Sequence, residues 1–391
     1  MKHSANRILT THVGSLPRPP DLLAMIEARE AGGPIDPAAF ETRVREAVGD
    51  SVRRQAEAGL DIIGDGEMGR IGFIPYVNER LSGMEAHPAE GGGSNWAGSR
   101  EHIAFPEFYR WTAALPGTAG TPQRRRWVCT GPIAYKGHDA LRRDIDRLKA
   151  ALAGRLHEEA FMPAISPANL AQRNGNEYYA SAEEYQTAIA DALHEEYRAV
   201  VESGLVLQID DPQLASSYVM HPEWSLADYR RHAEQSVALL NHALAGIPPD
   251  RVRYHTCYSI NIGPRVHDLE LKHLVAIMLK VAAGAFSFEA ANPRHEHEWR
   301  LWAEVKLPED RILIPGIITH ASNLVEHPEL VAERIARFAG GVGRERVIAG
   351  ADCGFASFAT SCEVHPTIVW AKLAALAEGA RIASRALWGR A

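Results

Sequence analysis

Cysteine is scarce in this sequence: Cys129, Cys257, Cys353 and Cys362 are the only four among 391 residues, and they are unevenly spaced. So few exclude a disulfide framework and suit a reducing compartment, where thiols serve chemistry or packing. No run of about 18 consecutive apolar residues occurs, so the hydropathy signature of a transmembrane helix is missing. Met1 to Thr10 carries basic residues but no apolar stretch of signal-peptide length. Positive charge is not in excess either. The net formal charge is −7, which gives no reason to expect nucleic acid or an anionic membrane as a partner. These absences predict a cytoplasmic protein.

What is present is an ordinary globular composition, 46% hydrophobic and 23% charged, sufficient for a large core. Short apolar, β-branched runs alternate with helical patterns. Asp61–Glu67, Leu205–Asp211, Arg251–Cys257, Ala285–Glu289, Ile312–Thr319 and Val347–Cys353 read as buried strands. Ser181–Ser203, Leu226–Leu244, Asp268–Ala283, Pro328–Phe338 and His365–Glu378 read as helices. Alternation of this kind predicts βα units around a parallel sheet.

Most of the strand-like runs end in a polar or metal-ligating residue at the carboxyl edge: Glu67, Asp210, His255 with Cys257, Glu289 and Cys353. In parallel α/β folds that edge carries the active site, and in a closed barrel every strand end faces one mouth. The expected fold class is therefore α/β, a (β/α)8 TIM-type barrel forming one domain over residues 1–391. An open doubly wound sheet ranks second, since it gathers ligands at one switch point. Adding Leu9–Ser15, Arg126–Pro132 and Glu159–Pro167 gives nine strand candidates for eight places, so at least one lies outside the barrel. A rim insertion near 85–125, including the Gly- and Trp-bearing stretch Gly91–Gly120, reads as a long loop that serves as a lid or an oligomer contact.

His255-Thr256-Cys257 carries the first chemical signal. A His and a Cys two apart on a strand point to the same side and can reach one metal ion. Imidazole and thiolate suit tetrahedral zinc. Such a triplet also arises by chance. Cys353 alone reads as a small core residue beside a tight turn, and Glu289 alone as half of a buried ion pair with Arg294 or another Arg. Together, one His, two Cys and one Glu at strand ends make a complete set of four ligands.

The motifs THVGSLPRP, GDGEMGR, TGPIAY, QIDDP, HTC, FEAANP and GADCG, running nearly end to end, resemble the catalytic domain of cobalamin-independent methionine synthase. That barrel superfamily also holds uroporphyrinogen decarboxylase and the zinc-dependent epoxyalkane:coenzyme M transferases. The resemblance implies Zn2+ as cofactor, with His255, Cys257, Glu289 and Cys353 as ligands. It further implies that Gly14, Ser15, Glu67 and Asp210 bind the amino-acid part of homocysteine. Two carboxylates can hold an ammonium group and the N–H groups of a Gly-Ser turn can hold a carboxylate, although Asp210-Asp211-Pro212 also reads as a turn with a capping Asp. His320 aligns with the family's proton donor after a one-residue slide.

The activity so implied is zinc-dependent methylation of homocysteine to methionine, with a methyl-folate or another methyl donor. The family's full-length enzyme has a second, N-terminal half that anchors a polyglutamylated folate, and no such half fits within these 391 residues. An alkyltransferase of the epoxyalkane:coenzyme M kind, acting on another thiol and electrophile, is the alternative. A non-catalytic zinc or thiol-binding protein is the third reading, opposed by Glu67 and Asp210 at the same mouth. A decarboxylase needs no zinc. His295 and His297 read as the polar start of the next helix, Cys129 and Cys362 as packing, and a homo-oligomer through the outer helices stays open.

Overall fold

The computed structural model describes residues 1–88, 96–113, 125–259, 263–359 and 363–389. The described strands are β1 (Leu9–Thr10), β2 (Ile62–Ile63), β3 (Met84–Pro88), β4 (Arg125–Cys129), β5 (Glu159–Ile165), β6 (Gly175–Asn176), β7 (Val206–Asp210), β8 (Val252–Thr256), β9 (Ala285–Phe288), β10 (Ile312–Ile318) and β11 (Ile348–Ala351). Eight of them form one parallel sheet in the order β1-β11-β10-β9-β8-β7-β5-β2. A parallel bridge between Thr11 and Ile62 joins the two edge strands and brings the sheet round into a barrel. Asp61 reinforces this seam by accepting the Thr10 N–H at 2.8 Å.

The surplus strand candidate is β4. It pairs antiparallel with β3 and parallel with β6 in a separate three-stranded sheet. The rim segment is also more ordered than a long loop. Its described part folds as helices Arg100–Ala104 and Pro106–Ala113, the first capped by Ser99 Oγ, which accepts the His102 N–H. Residues 89–95 and 114–124 of that segment, and Cys362, lie outside the described residues.

The barrel strands are apolar on both faces, as a sheet covered by helices requires. Ala160–Ile165 and Ile312–Ile318 are buried throughout. Side chains alternate in and out with period two, and the inward set changes character along the strands. Leu9, Ile62, Phe161, Val206, Ala285, Ile312, Ile314 and Ile348 form an apolar cluster of their own, distinct from the larger core. Two residues further along each strand come Gln208, Arg253 and Ser287, and then Asp210, His255 and Glu289. Register places Gln208 beside Arg253, Asp210 beside His255, and His255 beside Ser287.

Arg253 is a central tie of this interior. It donates to Gln208 Oε1 (2.6 Å), Thr11 Oγ1 (2.9 Å) and His12 O (2.6 Å), and its guanidinium lies 3.5 Å from the Phe161 ring centroid. Burial lowers its pKa to about 9.

Four of the five expected helices form, as Ala182–Glu202, Leu226–Ala243, Pro328–Val342 and Pro366–Trp388. Ser181 and Ser225 cap the first two, the latter in a reciprocal capping box with Asp228. The fifth, Asp268–Ala283, reduces to a 3-10 turn at Leu271–His273 and a short helix at Val275–Met278. Side chains take backbone groups that a continuous helix would use. Glu298 accepts the Leu271 N–H, Tyr258 donates to Leu269 O, and Asn241 holds both Lys280 O and Ala282 N. Among the described residues no helix is long and apolar enough to cross a membrane.

Candidate metal centre and thiol pocket

Three of the four expected metal ligands converge. One donor atom from each of His255, Cys257 and Cys353 lies within 4.8 Å of the others, and all three residues are buried. His255 is the penultimate residue of β8, Cys257 follows just past the strand's end on the same side, and Cys353 comes just after β11. The two sulfurs are 3.3 Å apart, well beyond the ~2.05 Å of a disulfide, and both thiols are free. Contact with the Cys353 sulfur, then burial, pushes the Cys257 thiol well above its usual range.

His255 is oriented for coordination. Its Nδ1 meets Ser287 Oγ at 3.0 Å, while its Nε2 is buried without a hydrogen-bond partner. Burial, followed by the Arg253 charge, lowers its pKa to about 3 and keeps the ring neutral. A neutral imidazole with one nitrogen anchored and the other free is the form that binds metal. A tetrahedral zinc with bonds of about 2.3 Å to sulfur separates its ligand atoms by roughly 3.5–4 Å. The three donors fit such an ion, in spacing and in chemistry. Ser287 was not singled out in the sequence, although its place two residues before Glu289 carried the period-two signal.

Glu289 is placed differently. Its Oε1 accepts the Tyr258 N–H (2.7 Å) and Arg265 Nη2 (3.2 Å); its Oε2 accepts Arg265 Nη1 (2.9 Å) and Asn292 Nδ2 (2.7 Å). Burial alone would raise its pKa, but Arg265 outweighs it and holds the carboxyl down at about 2. The ion-pair alternative considered for Glu289 is thus present, with Arg265 and not Arg294. Glu289 groups instead with His320 and Asp352, whose ligand atoms lie within 4.8 Å of its own. Both His320 nitrogens are buried and unpartnered, and burial lowers its pKa to about 4. Asp352 Oδ1 accepts the N–H groups of Ala290 and Ala291.

Beside the three donors, Ser15, Glu67 and Asp210 line the same small pocket, walled by Phe73, Pro212 and Ser357. Glu67 is buried and Asp210 partly buried, and loss of solvation is the first cause raising both pKa values. Glu67 has a left-handed backbone, φ 57°, unusual for a non-glycine residue. Asp65 Oδ1 accepts its N–H and Arg18 donates to its carbonyl. Gly14 (φ +149°) is needed for a related reason: a Cβ there would lie 2.6 Å from Glu67 Oε1. The Gly14 N–H is already donated to His12 Nδ1 at 3.1 Å, so of the Gly-Ser turn it is Ser15 that faces the pocket.

Known proteins share this fold. The family described as "Cobalamin-independent synthase, Catalytic domain" matches residues 8–157. A methionine synthase from Thermococcus kodakarensis is 26% identical over 384 residues, spanning 97% of this chain and 94% of its own. One from Sulfolobus acidocaldarius is 24% identical, covering 88% and 85%. Among solved structures, a B12-independent methionine synthase from a Shewanella species superposes with a TM-score of 0.73 at 19% identity, covering 98% and 99% of the two chains. A putative vitamin-B12 independent methionine synthase from Listeria monocytogenes gives 0.66 at 20% identity, covering 96% and 99%. The chain is thus similar to the catalytic domains of the cobalamin-independent methionine synthase family over residues 8–157, and to proteins named methionine synthase over nearly its whole length.

Proposed function

We propose that this protein is a zinc-dependent thiol methyltransferase that converts homocysteine to methionine. The observation that carries the reading is one pocket lined both by His255, Cys257 and Cys353 and by the carboxylates of Glu67 and Asp210. A purely structural zinc site has no use for that second half. Full-length similarity to proteins named methionine synthase supports the same substrate. A Thermotoga petrophila relative named 5-methyltetrahydropteroyltriglutamate–homocysteine methyltransferase, 25% identical over 275 residues and covered by this chain over 31% of its length, points to a methyl-folate donor.

Zinc held by His255, Cys257 and Cys353 supplies acidification of the substrate thiol, whose free pKa near 8.5 leaves it largely protonated at neutral pH. The protein's own residues do the rest. Glu67 and Asp210 bind the α-ammonium group and thereby fix the distance from the amino acid's head to its sulfur. Ser15 faces its carboxylate. Phe73 and Pro212 exclude water from the reacting sulfur, which strengthens every charge interaction in the pocket. His320 handles the proton owed to the departing donor. The adjacent Asp352 carboxyl is pushed up to about 7 by burial and then by Glu289.

Competition binding separates this reading from a coenzyme M-type alkyltransferase. L-homocysteine is expected to bind at least ~10-fold more tightly than 2-mercaptoethanesulfonate, which lacks the ammonium group that two carboxylates select. Equal or reversed preference would contradict it.

A further inference from the structure

Three loops at the barrel mouth each supply a wall of the thiol pocket. The turn after β1 carries Ser15, the loop after β2 carries Glu67, and the loop after β11 carries Cys353. Backbone hydrogen bonds tie them together: Leu16 N–H donates to Gly66 O at 3.1 Å, Phe355 N–H to Ser15 O at 3.0 Å, and Ala359 N–H to Ile71 O at 2.8 Å. Gly354 lets the third loop close on the first, since a Cβ there would fall 2.1 Å from Ser15 Oγ.

Arg18 lies where the three meet. It follows the first loop, and it donates from Nη2 to Glu67 O (2.9 Å) in the second and from Nη1 to Ala356 O (2.8 Å) in the third. It is buried, and among the described residues it bonds to these carbonyls and forms no ion pair with a carboxylate. Burial lowers its pKa to about 10, which leaves it charged at neutral pH. A buried guanidinium without a paired carboxylate is costly to keep. What it adds over an apolar side chain is a fork that spans two carbonyls at once. One of those carbonyls belongs to Glu67, whose left-handed backbone (φ 57°) persists only when its surroundings impose it. Among the described residues the Glu67 carboxylate accepts no hydrogen bond, so both oxygens are left to a ligand.

We propose that Arg18 is a positioning residue for amino-acid recognition: by holding the Glu67 backbone against the loop that carries Cys353, it aims the Glu67 carboxylate into the pocket. This rests on the thiol-pocket reading above and adds to it a residue that does not itself line the pocket. The two carbonyls it grips belong to the loops at the head-group end and the sulfur end, so one side chain sets the spacing of both. Lysine, a point charge without the planar fork, replaces it only in part.

The test is L-norleucine binding to the full chain by calorimetry, at a temperature where circular dichroism shows each variant folded. Arg18→Met should weaken norleucine by about 10-fold, and Arg18→Lys, which keeps the charge but not the fork, by about 5-fold. A double-mutant cycle separates positioning from a general loss of structure. Because Arg18 acts through Glu67, adding Arg18→Met to Glu67→Gln should weaken binding by no more than about 2-fold beyond Glu67→Gln alone. If Arg18→Met does not fold, the same cycle with Arg18→Lys decides. Effects of the two substitutions that multiply in full, or wild-type affinity in a folded Arg18 variant, would overturn this proposal and leave the pocket reading standing. Wild type that binds neither L-norleucine nor L-homocysteine would overturn both.

Discussion

The sulfur atoms of Cys257 and Cys353 lie 3.3 Å apart although 96 residues separate them in the chain. One follows β8 and the other β11, with β9 and β10 between them in the sheet. Only curvature of the barrel brings those strand ends together, so the distance reports closure and chemistry at once. Contact with the Cys353 sulfur raises the energy of ionising the Cys257 thiol. A cation between them removes that penalty.

Ser287 holds the ring of His255 through Nδ1. Ser287→Ala should leave the fold intact and weaken zinc by about 10-fold, the usual effect of deleting a group that orients a metal-binding His. Chelator competition checks it, and unchanged affinity would show that the ring is positioned by packing alone.

Glu67→Gln and Asp210→Asn should each weaken binding of L-norleucine, an amino acid without a thiol, by about 10- to 100-fold. The pH dependence has a definite sign. Burial raises both carboxyl pKa values, so without ligand each holds its proton to a higher pH than a free carboxyl. An ammonium ligand favours the ionised forms, so binding should release protons and strengthen as pH rises toward neutral. Calorimetry in buffers of different ionisation enthalpy measures the release; proton uptake would contradict the assignment.

Gly316 lies where the end of β10 meets Asp352. A Cβ there would fall 2.0 Å from Asp352 Oδ1 and 2.7 Å from its Cα. Gly316→Ala should therefore push the strand end that carries Cys353, costing about 1–3 kcal/mol in stability and zinc affinity along with it. Denaturant unfolding and metal titration of the same variant test both halves.

How far the sequence carries can be judged from particular residues. The barrel was legible because polar residues close one apolar run after another, and β8, β9 and β11 deliver His255, Glu289 and Cys353 to one mouth as that pattern requires. The placing of β4 outside the barrel was not legible, because an apolar run does not declare its partner and β3 is too exposed to read as a strand. Nor was Arg265. Its placement depends on contacts with Glu101, 164 positions away, which no local pattern announces. Arg253 escaped notice for a different reason: on a strand that reads as buried, a lone Arg suggests an edge, and only the barrel interior gives it Gln208, Thr11 and His12 as partners.

His295 offers a stability test apart from the metal donors. Burial works against its charged form, but Asp268 and Glu298 prevail and raise its pKa to about 9. A His with a raised folded-state pKa contributes stability fully present below its unfolded value of about 6.5, and that contribution is lost as pH rises through about 9. Wild type should lose about 2 kcal/mol between pH 6.5 and 9.5 from this group, and His295→Gln should lack that part of the slope. Parallel slopes for the two proteins would show that the imidazole is neutral in the fold.

The central claim is that His255, Cys257 and Cys353 hold a zinc ion that takes up a substrate thiol. Zinc-edge X-ray absorption on untagged protein, with and without L-homocysteine, tests it most directly. The account predicts about one zinc per chain with two sulfur neighbours, rising to three when homocysteine is added. Zinc absent from wild type and not taken up on reconstitution, or present with a sulfur count that ignores every thiol offered, would contradict it.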